Sequence, residues 1–261
     1  MKWSIVLWHR RRGALWFCGL AALFCWHCVA LGGVIRAGEF RVITFDLPGH
    51  GLTEGVDTTI PAIEVIRILM DSLHLKTASL IGLSVGSVCV EQFALTYPER
   101  VDKVVLASPG LLDGPDVLAA DSLSVALFDR MDSVAGTGNQ ELFARAFMMT
   151  WCIGPHRDSA RVDPQIRGYV YRTTLWNRLH HPPGDWLPFG RHPGLLDFGK
   201  WSRPLLLIAG DQDVPYIPAI AGYIHGRVGG SRLVLMKGVA HMLNMERTEA
   251  FNREILEFLN G

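Results

Sequence analysis

The sequence has no surplus of charge of either sign: 25 Lys and Arg stand against 25 Asp and Glu, for a formal net charge of zero. A protein that grips nucleic acid needs excess cations for the phosphates, so nucleic acid is not an expected partner. Cysteine is sparse too, with five residues scattered over 261. An odd, dispersed set does not make a disulfide framework, and a reducing, cytoplasmic setting is expected. No internal repeat, low-complexity segment or collagen-like glycine period is present. At 49% hydrophobic and 19% charged residues, the composition excludes general disorder. The length suits one large domain, or a domain with a substantial insertion.

Charge is also missing locally. After Arg10, Arg11 and Arg12, the run from Gly13 to Ile35 contains no Asp, Glu, Lys or Arg. As a helix rising about 1.5 Å per residue, it could cross a bilayer core of roughly 30 Å. Basic residues ahead of an apolar run also resemble a signal anchor. Two outcomes stand open: membrane association through 13–35, or an apolar helix packed inside a globular domain. Within this run, Cys25-Trp26-His27-Cys28 has the spacing of a redox or metal motif. No second ligand pair follows at zinc-site distance, and no metal or cofactor is expected.

From Phe40 onward, short β-rich runs alternate with longer helical ones, the signature of a parallel sheet covered by helices. Strands are expected over Arg41–Phe45, Ala78–Ile81, Val104–Ala107, Pro204–Ala209 and Arg232–Met236. Helices are expected over Pro61–Leu73, Val85–Tyr97, Ile217–Val228 and Glu246–Leu259. Between residues 111 and 200 the strand pattern stops, and Phe143, Phe147, Met148, Met149 and Trp151 fall at helical spacing. The reading is an α/β core from 1–110 and 201–261, interrupted by a mostly helical insertion over 111–200.

Gly82-Leu83-Ser84-Val85-Gly86 matches the G-x-S-x-G pattern, directly after an apolar strand and directly before a helix. The turn strains the serine backbone, and the flanking glycines let neighbouring chain pass closely. Ser84 then stands at a helix N-terminus, where free N–H groups favour developing negative charge. With Phe45-Asp46-Leu47-Pro48-Gly49-His50-Gly51, Leu207 to Asp213, and Gly238-Val239-Ala240-His241, the chain resembles the α/β-hydrolase family. That resemblance runs from Phe40 to the C-terminus and implies a mostly parallel sheet flanked by helices, with the insertion as a lid. It also implies a catalytic set of Ser84, Asp213 and His241, in the order usual for this fold. Asp213 is preferred to Asp211 because the family's acid lies three residues beyond the turn glycine, here Gly210. Asp211 is expected to cap that turn, and Asp46 to bond its own turn.

Chemically, a serine hydroxyl at neutral pH needs a base to take its proton. His241 would supply it, and a carboxylate would fix the imidazole tautomer. The oxyanion donors implied by the resemblance are the Val85 N–H and a group in an early loop that usually carries His-Gly. No His-Gly pair exists near the N-terminus. The expectation is that Ser4–Trp8 is the missing central strand and His9-Arg10 its loop, with Arg10 in place of the glycine.

The expected activity is hydrolysis of a small, largely apolar carboxylic ester through an acyl-enzyme. Thioesters, amides, carbon–carbon bonds and perhydrolysis stay open within the family. The rivals are a ligand-binding protein of the same fold that has lost its oxyanion loop, and a membrane-anchored hydrolase.

Overall fold

The computed structural model describes residues 5–7, 13–19, 40–47, 49–53, 60–111, 121–181 and 197–261. Strands run over Ile5–Leu7 (β1), Gly13–Gly19 (β2), Arg41–Phe45 (β3), Ala78–Ser84 (β4), Val101–Ala107 (β5), Leu205–Gly210 (β6) and Arg232–Met236 (β7). Among the described residues they form one seven-stranded sheet in the order β1-β3-β2-β4-β5-β6-β7. All pairings are parallel except β1 with β3, an antiparallel pair at the edge.

This order corrects the N-terminal expectation. The strand between β3 and β4 is Gly13–Gly19, while Ile5–Leu7 lies outside it, against β3. The first seven residues of the apolar run are therefore strand, not helix. A central parallel strand is covered on both faces and reads as a continuous apolar run. Periodicity alone cannot separate such a run from a buried helix. Residues 20–35, and Cys25 to Cys28 with them, lie outside the described residues. No helix among the described residues is long and apolar enough to cross a membrane.

The remaining elements follow the sequence pattern closely. Ala62–Ser72 (α1) begins after Pro61 and buries Ile63, Ile66, Leu69 and Met70 on one face. Val85–Thr96 (α2) starts where β4 ends and is buried nearly all round. It carries Glu91 into the interior, where burial lifts the carboxyl well above the usual carboxylate range. Between β5 and β6 stand Ser122–Gly136 (α3), Gln140–Phe147 (α4), a π-helical turn over Met148–Ile153, and Pro164–His180 (α5). Tyr216–His225 (α6), Leu243–Glu246 (α7) and Thr248–Asn260 (α8) complete the chain.

Alternation along the strands divides the core. Leu80, Leu106 and Leu207 join α1, α2 and α6 on one side of the sheet. Ile81, Leu83, Val105, Ala107, Leu206 and Ile208 meet Cys152, Ile153, Phe251 and Ile255 on the other. At about 1.5–3 kcal/mol for each large apolar side chain removed from water, these two layers hold the strand ends in fixed register. The parallel register sets Gly19 beside Ser84 and Leu83 beside Ala107. The carboxyl ends of β2, β4 and β5 thus open on one edge of the sheet, where ligands meet open α/β sheets.

Candidate active site

Ser84 is the last residue of β4 and has φ 54° and ψ −121°, a backbone region that side-chain-bearing residues rarely adopt. The glycine two residues before it lets the following turn close in. A Cβ on Gly82 would stand 2.6 Å from Ser87 Cα and from the Gly86 carbonyl carbon, so the strand and the first turn of α2 touch backbone to backbone. Gly82→Ala is expected to cost about 1–3 kcal/mol through forced displacement of that turn, read as a lower urea midpoint. An unchanged midpoint would show that the contact is not tight.

Val85 opens α2, so its N–H is among the first-turn donors without an intrahelical acceptor. Ser87 Oγ donates to the Ser84 carbonyl at 2.5 Å and accepts from Gly110 N at 2.9 Å, tying the turn to the loop after β5. Arg10 lies outside the described residues. Its expected role rested on Ser4–Trp8 being the central strand. The strand end that pairs with Ser84 is Gly19, so Cys18-Gly19 stands in the chain where the His-Gly pair was sought.

Asp213 and His241 come from the loops after β6 and β7. A Cβ on Gly210 would meet the Ala240 carbonyl oxygen at 2.6 Å, so only glycine lets the two loops cross. Gln212 N donates to the Val239 carbonyl at 3.0 Å. Asp211 is exposed and accepts from Gly238 N at 2.7 Å, the turn-capping role expected of it. Asp213 is buried: Oδ1 accepts from Val214 N at 2.8 Å, and Oδ2 lies 2.7 Å from His241 Nδ1. A carboxylate only accepts, so Nδ1 carries the proton and Nε2 presents its lone pair.

His241 is wholly buried, and Nε2 has no hydrogen-bond partner. Its backbone is held on both sides, N–H to the Trp151 carbonyl at 3.3 Å and carbonyl to Ser108 Oγ at 3.1 Å. Ser108 directly follows β5, whose Ala107 pairs with Leu83, so the histidine loop is anchored one strand away from Ser84. The structure thus joins Asp213 to His241 directly and sets Ser84 at the adjoining strand end. It shows no hydrogen bond between Ser84 and His241.

Sequence reasoning missed three contributors. Arg157 bonds Ile153 O at 2.7 Å, Cys152 O at 2.8 Å and Gly238 O at 2.9 Å, and grips Glu246 with contacts of 2.5 and 3.0 Å. Glu246 also accepts from Ala240 N at 3.1 Å, next to His241. Trp151 stacks obliquely on the imidazole, with ring centroids 4.6 Å apart. Phe128, Phe147 and Tyr216 extend the aromatic group. No local signal marks Arg157 and Glu246, which act across long stretches of chain, while Phe147 and Trp151 showed in the sequence only through their helical spacing. The nearby Cys152 thiol is no rival nucleophile: burial pushes it up to about 12. Asp46 accepts from Leu52 N at 3.0 Å, in its own turn as expected. Among the described residues, no group of three or more His, Cys, Asp or Glu is placed to hold a metal ion.

A family model described as alpha/beta hydrolase fold matches residues 22–248. A putative 2-succinyl-6-hydroxy-2,4-cyclohexadiene-1-carboxylate synthase from Bacillus subtilis is 27% identical over 85% of this chain and 82% of its own length. Carboxylesterase YbfK, also from Bacillus subtilis, is 25% identical over 86% and 73%. A 2-hydroxy-6-oxononadienedioate/2-hydroxy-6-oxononatrienedioate hydrolase from Comamonas testosteroni is 23% identical over 88% and 81%. Among solved structures, a hydrolase from Pseudomonas aeruginosa superposes with a TM-score of 0.79 at 22% identity, covering 99% of this chain and 94% of the other. A thermophilic esterase from Thermogutta terrifontis gives 0.78 at 19% identity, covering 99% and 93%. These likenesses agree with the fold described above. The chain belongs to the alpha/beta hydrolase fold family.

Proposed function

We propose that this protein is a serine hydrolase that cleaves a small, largely apolar carboxylic ester. The observation that carries the reading is the buried His241: Nδ1 is committed to Asp213 at 2.7 Å, and Nε2 is left unbonded as a base. In the reaction, Ser84 Oγ attacks the carbonyl carbon while Nε2 takes its proton. The oxyanion draws on the Val85 N–H at the start of α2. Collapse of the tetrahedral intermediate breaks the ester bond, and the imidazolium returns the proton to the departing alcohol. Water then repeats the sequence on the acyl-enzyme and releases the acid. Asp213 keeps its charge throughout and steadies the imidazolium.

The helical segment between β5 and β6 serves in this reading as a lid, with half-buried Phe147 and Met148 lining an apolar pocket. The 2-hydroxy-6-oxononadienedioate hydrolase relative favours a second reading, carbon–carbon bond hydrolysis with the same three residues. A fluorophosphonate probe separates an active serine site from an inert fold. Labelling is expected on wild type and absent from Ser84→Ala, together with turnover of p-nitrophenyl butyrate by wild type alone. Equal labelling of both proteins would remove Ser84 as the nucleophile.

A further inference from the structure

The π-helical turn that ends α4 is built into the histidine loop at successive residues. The Trp151 carbonyl accepts from His241 N at 3.3 Å, and the Cys152 and Ile153 carbonyls are tied through Arg157 to Gly238 and Glu246. Gly154 closes the turn with φ 81°, and a Cβ there would collide with the Gln212 carbonyl oxygen and stand 3.0 Å from Ala240 Cβ. The turn therefore has no freedom to drift from either the acid or the histidine loop. Trp151 projects from this fixed base onto the imidazole, with the ring planes inclined at 51°.

From this geometry we propose that Trp151 is a positioning residue for His241, a role that rests on the serine-hydrolase reading. Two effects follow from one contact. The indole limits rotation of the imidazole about its bond to Cβ, so Nε2 stays aimed while the ring is neutral. When Nε2 accepts the serine proton, the same ring is a cation within about 6 Å of an aromatic face, an arrangement that attracts. The neutral ground state gains the bracing, and the transition state gains the bracing and the attraction. The contact therefore acts on kcat more than on KM.

The test uses Trp151→Leu and Trp151→Phe on the full chain, with p-nitrophenyl butyrate as substrate. Trp151→Leu should lower kcat about 5- to 30-fold with KM moved less than about two-fold, and Trp151→Phe should recover most of the loss. Trp151→Met replaces the leucine variant if the latter does not fold. In a His241→Ala background, the leucine replacement should change the residual rate less than about two-fold, because the group it positions is gone. An equal loss in both backgrounds would show a general structural role and overturn the proposal. A rise in KM with kcat intact would overturn it as well, leaving Trp151 a pocket wall. If wild type labels with fluorophosphonate at Ser84 while Trp151→Leu keeps full kcat, only the positioning role falls. If wild type neither labels nor turns over substrate, the hydrolase reading falls and takes this proposal with it.

Discussion

Replacing Asp213 with asparagine should lower kcat about 10⁴-fold while the protein stays folded. The size of the effect comes from the second bond that the carboxylate makes. Oδ1 accepts from Val214 N at 2.8 Å, and an asparagine keeps that bond only by placing its carbonyl oxygen there. Its NH₂ group then faces His241 Nδ1 and demands a lone pair from it. The imidazole must move its proton to Nε2, and the atom directed at the serine becomes a donor. The imidazolium also loses its counter-charge. Steady-state kinetics beside thermal melting would check this. A loss under about ten-fold with unchanged melting would show that Asp213 does not fix the tautomer.

Removing the guanidinium of Arg157 should produce the largest loss of stability. Arg157 and Glu246 are 6% and 8% exposed, a buried bidentate pair. All five guanidinium donors are used, on three carbonyl oxygens and two carboxylate oxygens. In Arg157→Met the Glu246 charge stays buried with only the Ala240 N–H for company. The Cys152, Ile153 and Gly238 carbonyls lose the guanidinium donor at the same time. Breaking one side of such a pair costs about 3–5 kcal/mol, far above the 0–1 kcal/mol of an exposed pair. Urea denaturation would report it as a shift in midpoint, and a cost below about 1 kcal/mol would show that water reaches the pair. Activity should fall with stability, since the same clamp holds the residues on either side of the base.

The contrast between these two sites shows what a sequence declares. Ser84 and the acid and histidine loops were legible because each depends on a local pattern. A strained turn needs its glycines, and a loop crossing needs Gly210 three residues before Asp213. The strands at Arg41 and Arg232 were read at their observed boundaries, since both are short β-rich runs bounded by turn residues. Arg157 and Glu246 had no such signature: 89 residues separate them, and only the packed fold makes them neighbours. The N-terminus misled for a different reason. Gly13–Gly19 pairs with a strand on either side, and its uninterrupted apolar sequence has no alternation to reveal a strand. The expectation therefore took Ser4–Trp8 as the central strand and Arg10 as its loop. In the sheet, Ile5–Leu7 is the edge strand, and Gly19 is the residue paired with Ser84.

The place of β2 also bears on how the chain emerges from the ribosome. Its partner β4 ends 65 residues downstream, at Ser84 against Gly19. At roughly 5–20 residues per second of synthesis, one side of an uncharged strand waits about 3–13 s for its neighbour. During that interval the nascent chain carries one strand edge whose backbone N–H and C=O groups have yet to meet their partners.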